Sequence, residues 1–307
     1  MINIFNNSKI NFISKFKICS FLSLLCIFLG ILFFVFKGPQ LGIDFKGGTE
    51  LILDLGNYDS NNKSIKNEIS VYLNNNNVVP SRIKSYGTQK IQLLFDSADI
   101  NKEIINQKIN AFGDKSMKVL SYNKIGSTIS RELTNNALKA LFIAILLIGF
   151  YIIIRFDWYS ALGSIVAIIH DILIVISILI FFSYQFDINI IAAFLIIIGY
   201  SLNDTIVVFD RIRENLEEYS KMELHQIINL SLNETLSRTT ITSLTTLFVL
   251  MSLFLFGGSS LSGLSFALII GIISGTYSSI FIATPIMMFL RNKYYKEEEN
   301  IKEKQWQ

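Results

Sequence analysis

Six stretches of this 307-residue chain are apolar over about the 18–20 residues that a helix needs to cross a bilayer: 19–36, 137–154, 161–182, 188–209, 240–256 and 264–290. Such a pattern leaves few folds open, because a backbone in hydrocarbon must satisfy its own hydrogen bonds inside each segment. Composition points the same way. The chain is 51% hydrophobic and 17% charged, more apolar than a soluble core of this size requires. The first stretch follows Lys9, Lys15 and Lys17 and has the layout of a secretory leader, yet its apolar run exceeds the usual 7–15 residues and no A-x-A-like site follows. It reads as an anchor that stays. The expected fold is a polytopic α-helical membrane protein with six transmembrane helices.

Charges in the short connections set the expected orientation. Lys9, Lys15 and Lys17 precede the first span, Arg155 lies between the second and third, Arg211, Arg213 and Lys221 between the fourth and fifth, and Arg291, Lys293 and Lys296 after the sixth. The opposite connections, 183–187 and 257–263, carry no Lys or Arg. Residues 1–18 and the tail 291–307 are therefore expected in the cytoplasm, and 37–136 on the far side. A net charge of +3 gives a nucleic-acid partner no electrostatic footprint. Cys19 and Cys26 fall about 10 Å apart along a helix, too far for a disulfide.

Residues 38–135 differ from their flanks in mixed charge, many Asn and short apolar runs. A strand is expected over 50–55 and a helix over 64–73, with Ile65, Ile69, Tyr72 and Leu73 on one face. Strands over 78–86 and 89–95 form a hairpin around Gly87, and a second helix over 100–112 carries Ile104, Ile105, Ile109 and Phe112. A last strand covers 117–122. The order β-α-β-β-α-β is that of a ferredoxin-like α+β domain.

A charged side chain in mid-membrane costs about 2.5–3.5 kcal/mol on insertion scales, so three places demand a reason. His170 and Asp171 lie about ten residues into the third span. Asn203 and Asp204 interrupt the fourth. Arg238 opens the fifth, followed by Thr239, Thr240, Thr242, Ser243, Thr245 and Thr246. One reading makes Asp204 a proton carrier: burial penalises the charged carboxylate, a guanidinium favours it, and movement of Arg238 would switch it. Asn203 and the hydroxyls would then hold water. The other reading is a static ion pair that fixes helix register, or a carboxylate at the headgroup boundary. The residues alone leave both open, and His170 with Asp171 equally fits an interhelical hydrogen bond.

Gly42, Ile43, Asp44, Phe45, Gly47 and Gly48 follow the first span and suggest tight turns, with Asp44 bonding backbone amides. No helix is expected to open after them, which argues against nucleotide binding. Asp210, Arg211 and Arg213 are expected in a cytoplasmic loop after span four, as interfacial anchors or a coupling element. Gly271 and Gly275 form a GxxxG suited to close helix packing. Neither His170 nor His225 has the neighbours of a metal site, and no nucleophile–base pair or phosphate cradle is apparent. No catalytic, cofactor or metal residue is expected, and the chain is not read as an enzyme.

The block Gly42–Thr49, the run from Gly199 to Asn215, Ala161 with His170 and Asp171, and Arg238 with Ile241 and Ser243 occur in an order that resembles the SecF family, within the SecD/SecF group of the resistance-nodulation-division superfamily. The resemblance implies a periplasmic domain between spans one and two and a place in the bacterial inner membrane. It implies a SecD-like partner, association with the SecYEG channel, and use of the proton motive force in late preprotein translocation. Protons would be the coupling ion and membrane lipid the surroundings. Asp204 and Arg238 match the family's proton-conducting positions. Two departures from the family pattern are Lys46, where a small polar residue is common, and the lack of a proline before span two. Two other functions fit six spans with one outside domain: half of a proton-coupled small-molecule exporter, and a passive structural subunit.

Overall fold

The computed structural model describes residues 10–56, 58–97, 100–111, 117–219 and 221–305. Lys9 and Phe112, used above, lie outside these residues, as do the side chains of Ile104 and Lys296. After a 3-10 turn at Ile13–Lys15, α1 (Phe16–Lys37) runs to Gly38, whose φ of 68° ends the helix. A short strand β1 (Gln40–Leu41) and the one-turn helix α2 (Ile43–Lys46) lead into β2 (Gly48–Asp54). Then come α3 (Lys63–Asn75), β3 (Arg82–Ser85), β4 (Lys90–Phe95), α4 (Lys102–Ala111) and β5 (Lys118–Ile125).

These four longer strands form one antiparallel sheet in the order β3-β4-β2-β5. Its inner face follows from period-two alternation. Leu51 and Leu53 of β2 and Ile91, Leu93 and Phe95 of β4 are buried against Ile65, Ile69 and Leu73 of α3 and Ile105 and Ile109 of α4. The side chain of Asn62 caps α3 by accepting from Ser64 N at 3.0 Å. The strand expected over 78–86 is shorter because Pro80 has no N–H to give a ladder, and only Arg82–Ser85 pairs with β4.

The remaining helices are α5 (Ser127–Arg155), α6 (Trp158–Phe181), α7 (Ile188–Glu218), α8 (Leu224–Phe256), α9 (Ser259–Ser278) and α10 (Thr284–Gln305), with a strand β6 (Gln185–Phe186) before α7 and a π-helical turn, Ser279–Ala283, between α9 and α10. Among the described residues six helical stretches are long and apolar enough to cross a membrane. On α6, α7 and α9 the small and apolar side chains turn inward, so these helices form the centre of the bundle. On α1 and α5 large apolar side chains such as Phe21, Phe28, Leu138 and Phe142 point outward, the arrangement that suits contact with lipid.

Two expectations change. Asp210, Arg211 and Arg213 are helical rather than in a loop: α7 continues to Glu218, supported by Arg211–Glu214 (2.8 Å) and Arg213–Glu217 (3.6 Å) pairs three and four residues apart. Arg238 does not open its helix, because α8 begins at Leu224 with an amphipathic half that buries Ile227, Ile228 and Leu232. The glycine block holds a single helical turn, α2, and is followed by strand β2 rather than by a helix.

Candidate functional site

The bundle interior holds two carboxylates in different circumstances. Asp171 of α6 is fully buried. Its Oδ1 accepts from Ser274 Oγ at 2.6 Å and lies 3.0 Å from His170 Nδ1; its Oδ2 accepts from Ser201 Oγ and Ser278 Oγ, each at 2.7 Å. Helix geometry explains how this is assembled. Ser274 and Ser278 are four apart on α9 and share a face, while Ser201 comes from α7. Three hydroxyl donors and a ring nitrogen at 3.0 Å about fill what a carboxyl group can engage, so Asp171 is saturated inside apolar surroundings.

Asp204 of α7, 2% exposed, is held more loosely. Its Oδ2 accepts from Ser243 Oγ of α8 at 3.4 Å and Thr276 Oγ1 of α9 at 3.3 Å, and these two hydroxyls lie 2.6 Å apart. Thr276 sits two residues from both Ser274 and Ser278, on the other side of α9, so one helix serves both acids. Gly271 and Gly275 bring α9 against α7: a Cβ on Gly275 would lie 3.0 Å from the Ser201 Cβ, and one on Gly271 2.3 Å from the Ile197 side chain.

Arg238 and Asn203 are not at this centre. Both are exposed on the outer surface, and Arg238 makes no ion pair with Asp204 among the described residues. A static Asp204–Arg238 pair is thereby excluded in this conformation. The hydroxyl run of α8 divides by face. Ser243 reaches Asp204, and Thr239 is buried with Oγ1 unpartnered among the described residues. Thr242, Thr245 and Thr246 return their hydroxyls to carbonyls of their own helix. His170 turns Nε2 into the interior without a partner among the described residues and stacks on Tyr277 at 6.1 Å. Tyr277 in turn donates to Cys19 O at 2.6 Å and accepts from Ser23 Oγ at 2.9 Å.

The glycine block lies at the sheet-bearing end of the bundle. Asp44 Oδ2 accepts from Ile188 N at 3.0 Å and so caps the first turn of α7, where Asp187 Oδ1 also accepts from Ile190 N at 3.1 Å. Gly42 N donates to Phe186 O at 2.7 Å, and β1 pairs in parallel with β6. Ile43 is buried, and Phe45 packs on the bundle core. Gly47 and Gly48 have φ of 77° and 124°, and a Cβ on Gly48 would meet Phe95 O at 2.2 Å, so no other residue fits there. Lys46 forms an exposed pair with Asp96 at 2.8 Å, and that hydrogen bond holds the Asp96 carboxyl below its usual range. At the opposite end, Arg155 pairs with Asp210 at 3.1 Å, and Arg211 Nε donates to Glu234 at 2.7 Å.

Sequence reasoning missed Ser201, Ser274, Ser278 and Thr276 as partners of the acids. Serines beside a GxxxG signal close packing, and only the fold turns them toward a carboxylate.

A helical bundle that keeps carboxylates within an apolar interior, joined through a glycine block to a small α/β unit, is a multi-pass membrane protein with a charge-handling core. The family model for the C-terminal part of protein export membrane proteins SecD/SecF matches residues 104–293, and that for the SecD/SecF GG motif matches 32–55. The protein translocase subunit SecF of Rhodothermus marinus is 40% identical over 298 residues, covering 94% of this chain and 95% of its own. That of Rhodobacter capsulatus is 36% identical, covering 85% and 83%. The crystal structure of SecDF from Thermus thermophilus, a translocon-associated membrane protein, superposes with a TM-score of 0.84 at 32% identity over 93% of this chain. SecDF in a super-membrane-facing form gives 0.71 at 30% identity. This chain spans about two fifths of each of those structures, 39% and 40%. The chain belongs to the SecD/SecF family, on its SecF side, and serves as an inner-membrane subunit of Sec protein export.

Proposed function

We propose that this chain, with a SecD-like partner, uses the proton motive force to assist late movement of preproteins through a SecYEG channel, and that Asp204 carries the proton. The observation behind this reading is the contrast between the two acids. Asp171 is saturated by four close contacts, whereas Asp204 has two long ones on a single oxygen. A buried carboxylate with spare acceptor capacity gains and loses a proton at smaller cost than a saturated one. Protons are the coupling ion, with no cofactor. Arg238 acts from outside the centre and approaches when α8 shifts, and Asp171 with His170 holds α6, α7 and α9 in register.

In this reading both termini are cytoplasmic, and residues 37–136 form a periplasmic ferredoxin-like domain. The antiparallel order β3-β4-β2-β5 with both helices on one face supports that architecture. The membrane field supplies about 2.3 kcal/mol per charge per 100 mV, enough to bias a balanced two-state domain.

Asp204→Asn keeps the size and both hydroxyl contacts and removes the titration. Proton-dependent export in inverted vesicles is expected to fall to the level seen without the subunit, with expression and partner association unchanged. Normal export by a well-assembled Asp204→Asn protein would remove Asp204 from the mechanism.

A further inference from the structure

At the end of the bundle away from the sheet, the irregular stretch before α1 has no strand beside it among the described residues, yet its backbone is paired. Ile10 N donates to Asn233 Oδ1 at 2.9 Å, and Ile10 O accepts from Asn233 Nδ2 at 2.9 Å and Asn229 Nδ2 at 3.1 Å. Phe12 N donates to Asn229 Oδ1 at 2.8 Å. Asn229 thus spans residues 10 and 12, accepting from one and donating to the other, as a neighbouring strand's peptide group would. The two asparagines are four apart on α8 and present their amides side by side; Asn233 also donates to Asn229 O at 2.8 Å.

Two aromatic anchors flank this pairing. Phe12 and Phe16, 5% and 6% exposed, lie against Phe281 of the π turn at 6.1 and 6.3 Å between ring centres. Asn11, just before Phe12, is exposed and its Oδ1 accepts from Ser14 N at 3.2 Å. We infer that Asn229 and Asn233 form a peptide-backbone-binding site whose ligand is the chain's own segment 10–16, and that this site staples α1 to α8.

The staple matters because the two helices otherwise belong to different neighbourhoods. α1 packs on α6 and the π turn, and α8 packs on α7 and α9. The segment is the bridge between them. It is read through main-chain groups and two rings, so the exposed side chain of Lys15 is free to vary while Asn229 and Asn233 are not. This assignment does not depend on the role of Asp204.

The test uses the full-length chain in lipid nanodiscs. Hydrogen exchange of residues 10–16 is compared between the native protein, Asn229→Ala/Asn233→Ala, Phe12→Ala and Lys15→Ala. Removal of four hydrogen bonds in the double variant, or of a ring anchor in Phe12→Ala, is expected to speed exchange about tenfold or more. Lys15→Ala is expected to leave it unchanged. The native thiols give a second readout. Cys19, near the staple on α1, is expected to react several-fold faster with a small maleimide in the released variants, with Cys26 unaltered. Unchanged exchange in the double variant, or release by Lys15→Ala, overturns the assignment. Should the double variant fail to fold, Phe12→Ala alone decides, because its asparagines remain in place.

Discussion

At the scale of single residues, the interior is governed by small side chains that admit close approach. Gly163 of α6 is the clearest case. A Cβ there would lie 2.7 Å from Ala283 O, a backbone atom of the π turn that cannot swing aside, whereas Gly199 of α7 has open space around it. Gly163→Ala is therefore expected to destabilise the purified chain by about 1–3 kcal/mol, the usual range for overpacking. Gly199→Ala should stay within about 0.5 kcal/mol. Thermal unfolding followed by intrinsic fluorescence compares the two; equal effects would contradict the contact. The acids themselves were legible, since Asp171 and Asp204 stand in apolar runs where charge is costly. Their partners were not. Arg238 follows the same rule of visibility, but its exposed position was not legible, because a sequence marks a charge in a helix without saying which way the helix turns it.

At the scale of elements, period-two alternation and 3.6-residue spacing located the four longer strands and the helices α3 and α4 of the α/β unit, though not β1 or α2, while their ends moved by a few residues where Pro80 or a cap decided. Hydropathy located the spans but stopped short on α7 and α8. Their polar halves continue as helix because paired charges and a buried stripe replace the apolar run. The docking of the β3–β4 hairpin lay beyond any pattern, being a contact between distant segments. Lys84 Nζ donates to Ser183 O at 3.4 Å, and Tyr86 and Ser260 share a hydrogen bond at 2.8 Å. Both line a cleft of about 1220 Å³ between the open sheet face and the bundle. Burial, followed by the nearby charge of Arg82, brings Lys84 down from 10.5 to about 8. An undocked Lys84 regains the ordinary value and binds more protons than the docked one between about pH 8 and 10.5. Docking is accordingly expected to strengthen as pH rises through that window, and to carry its full penalty below it. Distances between spin labels on the hairpin and on the α8–α9 turn, recorded at pH 7 and 9.5, should shorten in the native chain and stay constant in Lys84→Met. Equal pH responses would rule Lys84 out as the cause.

At the scale of the molecule, the surface is divided. Phe248, Val249, Leu255 and Phe256 of α8 are exposed as lipid contacts are, but Asn203, Arg238 and Thr245 are exposed beside them. Hydrocarbon would penalise that mixture, and a second helical bundle would not. The chain's two-fifths share of the SecDF structures leaves room for one. A nitroxide at position 245 is expected to lose several-fold in oxygen accessibility when a SecD-like chain is co-reconstituted; unchanged accessibility would place the partner elsewhere. The cap on α7 by Asp44 has a wider meaning. Asp204 stands sixteen residues down that same rod, about 24 Å at the helical rise, and both points are fixed to one stiff body. In the proposed proton-driven reading, an axial displacement at the lower point would reach the glycine block along one uninterrupted helix.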